Sequence, residues 1–194
     1  MKVGVLDVQG DVTEHIVALK RAVSDLGLPY DVCGVKTPKE IGNVSALVIP
    51  GGESTTISML SARYGMDAAL LDAAKGMPVF GTCAGLVFLC KEGAKMKNGQ
   101  KTLGLLDARV VRNAFGRQRD SFETQLNIPV LGNEKYPGVF IRAPAIEKVW
   151  GRCKSLCRYG GHVVLARQDN ILASAFHPEL TQDRRLHEYF LGMI

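Results

Sequence analysis

Apolar residues follow two different rhythms along this chain, and the change between them falls just past its middle. In the first half, short unbroken apolar runs alternate with helical spacing. Val3-Gly4-Val5-Leu6 is one such run, ending in the turn Asp7-Val8-Gln9-Gly10-Asp11. From Thr13 to Leu26 the apolar residues Ile16, Leu19, Val23 and Leu26 recur at helical intervals until Gly27 stops them, which predicts a helix. His15, in the first turn, reads as a polar residue of the helix face. Pro29 to Val35 and Ser45 to Ile49 read as the second and third strands, with a short helix opened by Thr37-Pro38 between them. The third strand stops at Pro50-Gly51-Gly52. Helical spacing from about Thr56, interrupted near Tyr64-Gly65, then runs from Ala68 to Lys75 and leads into Pro78-Val79-Phe80. Strand–helix alternation of this kind predicts a parallel sheet covered by helices on both faces.

The second half reads differently. Lys91 to Lys101 is polar and glycine-containing, which predicts a mobile surface loop. After it come strand-like runs over 108–112, 121–128, 138–142, 162–167 and 171–176 with little helix between them, so the sheet is expected to gain mixed or antiparallel strands. Asp183 to Met193 closes the chain as an amphipathic helix with Leu186, Tyr189, Phe190 and Met193 inward and His187 exposed and inert.

Composition narrows the class. The 194 residues, 46% of them hydrophobic, suit one domain over residues 1–194. Apolar runs fall far short of the roughly 20 residues that span a bilayer, and an aspartate at position 7 comes too early for a signal peptide. Five irregularly spaced cysteines argue against a disulfide framework and for a cytoplasmic location. Cys33 and Cys90 sit in apolar patterns as core packing. Cys153, Cys157 and His162 fit no common zinc spacing and lack a fourth ligand, so no metal is expected. A net charge of +5 permits an acidic partner, but aromatics are few and no basic helix stands out, which argues against nucleic acid. Arg109, Arg112, Arg117 and Arg119 form either a solvated face or an anion or docking site.

The chemistry gathers in two places. Gly81-Thr82-Cys83-Ala84-Gly85 has the spacing of a nucleophile elbow with cysteine at its apex. A strand turning sharply into a helix crowds the bend, so the flanking positions must lack a Cβ. The first N–H groups of the following helix favour a thiolate at Cys83, and the Ala84 N–H is placed to receive an oxyanion. Ser174 to Leu180 is the second place. There His177 ends a buried strand, and Glu179, two residues on, points to the same side of an extended backbone. Cys83, His177 and Glu179 form the nucleophile, base and orienter needed for covalent acyl transfer. Gly51-Gly52, at the carboxyl end of strand three, lets backbone approach a ligand and offers a second oxyanion donor; its plainer role is a tight turn capped by Ser54 or Thr55.

These residues resemble the class I (triad) glutamine amidotransferases, which pair an elbow cysteine with His-x-Glu. Gly4 to Asp11 with Glu14-His15, Pro50 to Thr56, Arg112 to Glu123, Phe140 to Pro144 and Phe176 to Thr181 resemble, within that family, the glutaminase subunits of pyridoxal 5′-phosphate synthase. The resemblance spans almost the whole chain, departing mainly around Lys91 to Lys101 and Trp150 to Tyr159. It implies an α/β three-layer sandwich with a mostly parallel central sheet (flavodoxin-like, class I glutamine amidotransferase fold). It also implies that L-glutamine is hydrolysed to glutamate and ammonia, with no cofactor, and that the ammonia passes to a synthase subunit. The implied glutamine-binding positions are Gly51, Gly52, Glu53, Arg112, Ile141 and Arg142, with Gly52 and Ala84 at the oxyanion. The nearest alternative is a glutaminase serving another pathway, against which the segment from Arg112 to Glu123 speaks. A cysteine peptidase or other elbow-cysteine hydrolase suits His177-Pro178-Glu179 and the Gly51-Gly52-Glu53 loop less well, and a non-enzymatic binding module would lack a triad member.

Overall fold

Five buried apolar runs lie parallel along one side of the main sheet: β1 (Lys2–Leu6), β2 (Asp31–Val35), β3 (Ala46–Ile49), β4 (Val79–Thr82) and, from far down the chain, β12 (Ile171–Ser174). The computed structural model describes residues 1–94, 100–115 and 121–194. The spatial order of these strands is β2-β1-β3-β4-β12. Every residue of β3, β4 and β12 is buried, as a strand covered on both faces requires.

The strand order places the helices. From β1 the chain moves outward to β2 through α1 (Val12–Asp25), then reverses past β1 to β3 through α2 (Pro38–Ile41). It continues in that second direction to β4 through α3 (Ser54–Arg63) and α4 (Met66–Ala73). Right-handed crossovers running in opposite directions put their helices on opposite faces of a sheet. Accordingly α1 packs with the C-terminal α6 (Arg185–Leu191), while α2 to α4 and α5 (Ala84–Leu89) form a second contacting group. The reversal occurs between β1 and β3, so the loops leaving their carboxyl ends diverge and open a crevice.

Beyond β12 the sheet changes character, as the second half of the sequence predicts. β11 (His162–Gln168) runs antiparallel to β12, β9 (Ala145–Val149) antiparallel to β11, and β6 (Leu106–Val111) antiparallel to β9. β5 (Cys90–Ala94) lies parallel to β6 at the edge, and β10 (Lys154–Tyr159) pairs with β11. β7 (Ser121–Leu126) and β8 (Tyr136–Ile141) form a separate antiparallel hairpin. The core runs through the whole sheet and includes Phe80, Phe88, Phe176 and Phe190, each contributing about 1.5–3 kcal/mol by burial.

Three expectations need correction. The segment expected as a loop from Lys91 begins as strand β5, held by its pairing with β6; residues 95–99 of it lie outside the described residues. The inward stripe of α1 is His15, Ala18, Leu19, Ala22 and Val23, which leaves Leu26 exposed. In α6 the buried residues are Leu186, His187, Phe190 and Leu191, so His187 is inside rather than exposed. The two helices pack on each other, and small Ala18 and Ala22 let them approach closely enough to enclose both imidazoles. Among the described residues no helix is long and apolar enough to cross a membrane.

Candidate active site

The elbow forms where the sequence places it. β4 ends at Thr82, Cys83 makes the bend, and α5 starts at Ala84. A Cβ on Gly81 would lie 2.5 Å from Leu89 Cδ1, and one on Gly85 would lie 2.2 Å from the Ile49 carbonyl oxygen. Both glycines are therefore obligatory for the close approach of helix to strand. Cys83 itself has φ +47°, a strained backbone for a residue with a side chain. Among the described residues, four non-glycine positions have positive φ, and three of them, Cys83, Asn113 and Arg142, line the same cavity. Backbone strain is concentrated where the chemistry is.

Parallel pairing brings the second motif to the first. Ser174 of β12 stands opposite Thr82 of β4, and the Cys83 N–H donates to the Ser174 carbonyl at 2.8 Å. The chain then climbs three residues to His177, whose N–H donates to the Val139 carbonyl of β8 at 2.8 Å. His177 Nδ1 lies 2.6 Å from Glu179 Oε1. Glu179 reaches it from a one-turn 3-10 helix, Pro178–Leu180, rather than from the extended backbone expected. With Nδ1 engaged, Nε2 is the nitrogen left for Cys83, which lines the same cavity as His177 and acts on its proton affinity.

The charge on His177 is set by burial and by its two neighbours. Burial lowers the proton affinity of His177, but its hydrogen bonds to Cys83 and Glu179 outweigh that and raise its pKa to about 10. Burial pushes the Glu179 carboxyl above its ordinary range, and the hydrogen bond to His177 pulls it back in part.

A cavity of about 410 Å³ opens over this pair, lined among others by Gly52, Glu53, Cys83, Ala84, Arg112, Ile141, Arg142 and His177. Gly51 lies under the imidazole: a Cβ there would meet His177 Cε1 at 2.6 Å. All the binding positions that resemblance implies are thus gathered at one site. Glu53 takes the capping role expected of Ser54 or Thr55, accepting from the Thr56 N–H at 2.8 Å. Its carboxyl also accepts from Arg112 Nη2 at 3.3 Å. Burial opposes ionisation of Glu53, yet hydrogen bonds from Thr56 and Thr55 bring its pKa down to about 2. The Gly116 to Asp120 part of the long motif, with Arg117 and Arg119, lies outside the described residues.

Sequence reasoning missed two neighbours of the base. Asp11 lines the cavity with Oδ2 3.5 Å from His177 Nδ1. Its signal was its place in the turn between the carboxyl end of β1 and the start of α1, beside the switch point. His15 is fully buried, with Nε2 3.3 Å from Glu179 Oε2. Its signal was the spacing of Ala18, Leu19, Ala22 and Val23, which extends back to position 15. The remaining thiols take no part here: all five cysteines are free, Cys90, Cys153 and Cys157 are buried, and burial raises the last two to about 11. Asp11, His177 and Glu179 could together reach a metal ion, but Nδ1, the His177 nitrogen that faces both carboxylates, is already hydrogen-bonded to Glu179 Oε1.

Known proteins with this chain's features are consistent in kind. The SNO glutamine amidotransferase family matches it over residues 5–194. A Methanosarcina mazei protein named "Pyridoxal 5'-phosphate synthase subunit PdxT" is 49% identical over 197 residues, covering 100% of this chain and 98% of the relative. A Thermococcus kodakarensis protein of the same name is 50% identical over 193 residues, covering 98% of each. A solved structure described as "Crystal structure of glutamine amidotransferase" superposes with a TM-score of 0.87 at 44% identity, covering 98% of this chain and 97% of the other.

Proposed function

The chain belongs to the SNO glutamine amidotransferase family, and from that premise we propose that it is the glutaminase subunit of a pyridoxal 5′-phosphate synthase, folded as one domain. It hydrolyses L-glutamine to L-glutamate and ammonia and supplies the ammonia to a synthase subunit. The observation that carries the catalytic assignment is the buried His177, hydrogen-bonded through Nδ1 to Glu179 and lining one cavity with Cys83, whose sulfur raises its proton affinity.

Each residue has a defined task. Arg112 and Arg142, with the backbone at Ile141 and Gly51-Gly52 and the Glu53 carboxylate, hold the charged end and the amide of glutamine. The Cys83 sulfur attacks the side-chain carbonyl carbon, and the negative charge moves to oxygen beside the N–H groups of Gly52 and Ala84. His177 gives its proton to the nitrogen as the C–N bond breaks, releasing ammonia and leaving a thioester. Water then adds to the thioester carbonyl, giving a proton to His177. The C–S bond breaks, glutamate leaves and the thiolate–imidazolium pair is restored. Glu179 holds Nδ1 throughout, so Nε2 always faces the reacting atoms.

Ammonia freed into water is lost to protonation, so delivery to a docked synthase subunit is part of the function. Gln9 supplies a handle for control. Its Oε1 accepts the Glu53 N–H at 2.9 Å and packs against Gly52, so a partner that moves Gln9 also moves the oxyanion loop. Ammonia release from glutamine, measured with and without the cognate synthase subunit, tests the reading. Release is expected to be slow alone, faster in the complex and abolished by Cys83→Ala; equal rates with and without the partner, or turnover by the alanine variant, would contradict it.

A further inference from the structure

Behind the triad stands an imidazole that the mechanism above leaves unused. His15, on the first turn of α1, is completely buried. Its Nε2 lies 3.3 Å from Glu179 Oε2 and 3.0 Å from Thr82 Oγ1. Glu179 orients the base and Thr82 precedes the nucleophile, so one nitrogen touches both arms of the site. We infer that His15 is a positioning residue for glutamine hydrolysis: its Nε2–H, 3.3 Å from a Glu179 Oε2 that has no hydrogen bond of its own, attracts that oxygen and holds the carboxylate so that Oε1 stays on His177. The inference rests on reading Cys83, His177 and Glu179 as the catalytic triad.

The tautomer follows from counting lone pairs. An ionised carboxylate can only accept, so a bare Nε2 would set two lone pairs against each other at 3.3 Å in a dry interior. Its proton would then sit on Nδ1, which has no partner. A proton on Nε2 instead sets the positive end of an N–H against the otherwise unpartnered Glu179 Oε2 and leaves an unfilled acceptor at Nδ1, the cheaper deficit. Burial, followed by the nearby His187 and His177, holds the proton affinity of His15 well below that of an ordinary histidine. It therefore acts as a neutral N–H donor and not as a cation.

The geometry explains why the triad needs it. The terminal torsion of a glutamate is broad, so a carboxylate fixed through one oxygen can still swing. A hydrogen bond on Oε1 and an N–H contact on Oε2, from different elements, restrain that motion. The groups facing Glu179 are His177 with Asp11 beyond it, His15 from α1, and Tyr136 from β8; His187 of α6 stands edge-on behind His15 at 5.8 Å between centroids. Of these, His15 alone reaches Oε2.

Steady-state glutaminase kinetics across pH, with the synthase subunit present, test the role in wild type, His15→Leu, His15→Gln and Cys83→Ala. His15→Leu is expected to lower kcat about tenfold or more, the size of a lost polar contact to a charged group, and to change KM for glutamine by less than about twofold. It also moves the acid limb of kcat/KM to higher pH, because Glu179 takes up a proton more readily without its donor. His15→Gln places an amide N–H near the Nε2 position and is expected to bring both back to within about threefold of wild type. If His15→Leu does not fold, His15→Asn replaces it, since the shorter amide does not reach Glu179. Wild-type kcat and acid limb in the leucine or asparagine variant would overturn the inference, as would equal impairment in the glutamine variant with the acid limb unmoved. Turnover by Cys83→Ala would instead overturn the triad reading itself.

Discussion

At His177 a single proton decides what Cys83 can do. Its pKa of about 10 reflects burial overcome by hydrogen bonds to the sulfur and to Glu179, so the imidazole is charged at neutral pH and ready to protonate a leaving amine. Glu179→Gln keeps the shape and removes the charge. It is expected to lower the His177 pKa, readable by NMR of the ring, and to cut kcat by about 10²-fold or more; a change of less than about threefold would count against the assigned role. The triad was legible because each member carries its own local signature: glycines around Cys83, and a carboxylate two residues from His177. Asp11 and His15 were not legible in that way. Their contacts with His177 and Glu179 join residues more than 160 positions apart, and no local pattern encodes such a meeting.

On the scale of elements, the site is a product of register. β4 and β12 pair so that their carboxyl ends coincide, and the elbow and the base follow from that. The contact that fixes the elbow is Gly85 against Ile49, so Gly85→Ala, with its Cβ 2.2 Å from a backbone oxygen, is expected to cost about 3 kcal/mol or more in urea unfolding and to depress activity with it. An unfolding midpoint like that of wild type would contradict this packing. Periodicity predicted the parallel half well, because unbroken apolar runs separated by helical spacing have few other solutions. It failed in two instructive ways. In α1 and α6 the periodicity finds the buried Leu19, Val23, Leu186 and Phe190, but it counts Leu26, which is exposed, and passes over Ala18, Ala22, His15 and His187, which are buried. Helix-on-helix contact favours small residues at close approach, and hydrophobicity alone does not report that. The strands β5, β9 and β10 escape the periodicity because half-exposed pairing tolerates charge, and their lysines, glutamates and arginine read as loop.

For the whole molecule, the buried histidines set an acid limit to stability. His187 is fully enclosed, neither ring nitrogen has a hydrogen-bond partner, and burial lowers its pKa from 6.5 to about 4. Between those values the unfolded chain binds a proton that the folded one refuses, so stability is present above pH 6.5 and is lost as pH falls toward 4. His177 has the opposite sign: its raised pKa contributes stability below 6.5 that is lost as pH rises through about 10. Urea unfolding at pH 7 and pH 5 is expected to show about 2 kcal/mol less stability at the lower pH from His187, and His187→Leu is expected to remove that share; an identical pH dependence in the variant would contradict it. The same enclosure builds the crevice at the switch point, where loops from β1, β3, β4 and β12 converge on one cysteine. That convergence is tested most directly by a glutamine analogue bearing an electrophilic ketone in place of its carboxamide, with the modified cysteine identified by peptide mapping. Cys33 is the one partly exposed thiol of the five, and mere accessibility would direct the label there. The expected result is modification of Cys83 alone, with loss of ammonia release and protection by glutamine; labelling of Cys33 instead, or inactivation with Cys83 unmodified, would contradict the assignment of the nucleophile.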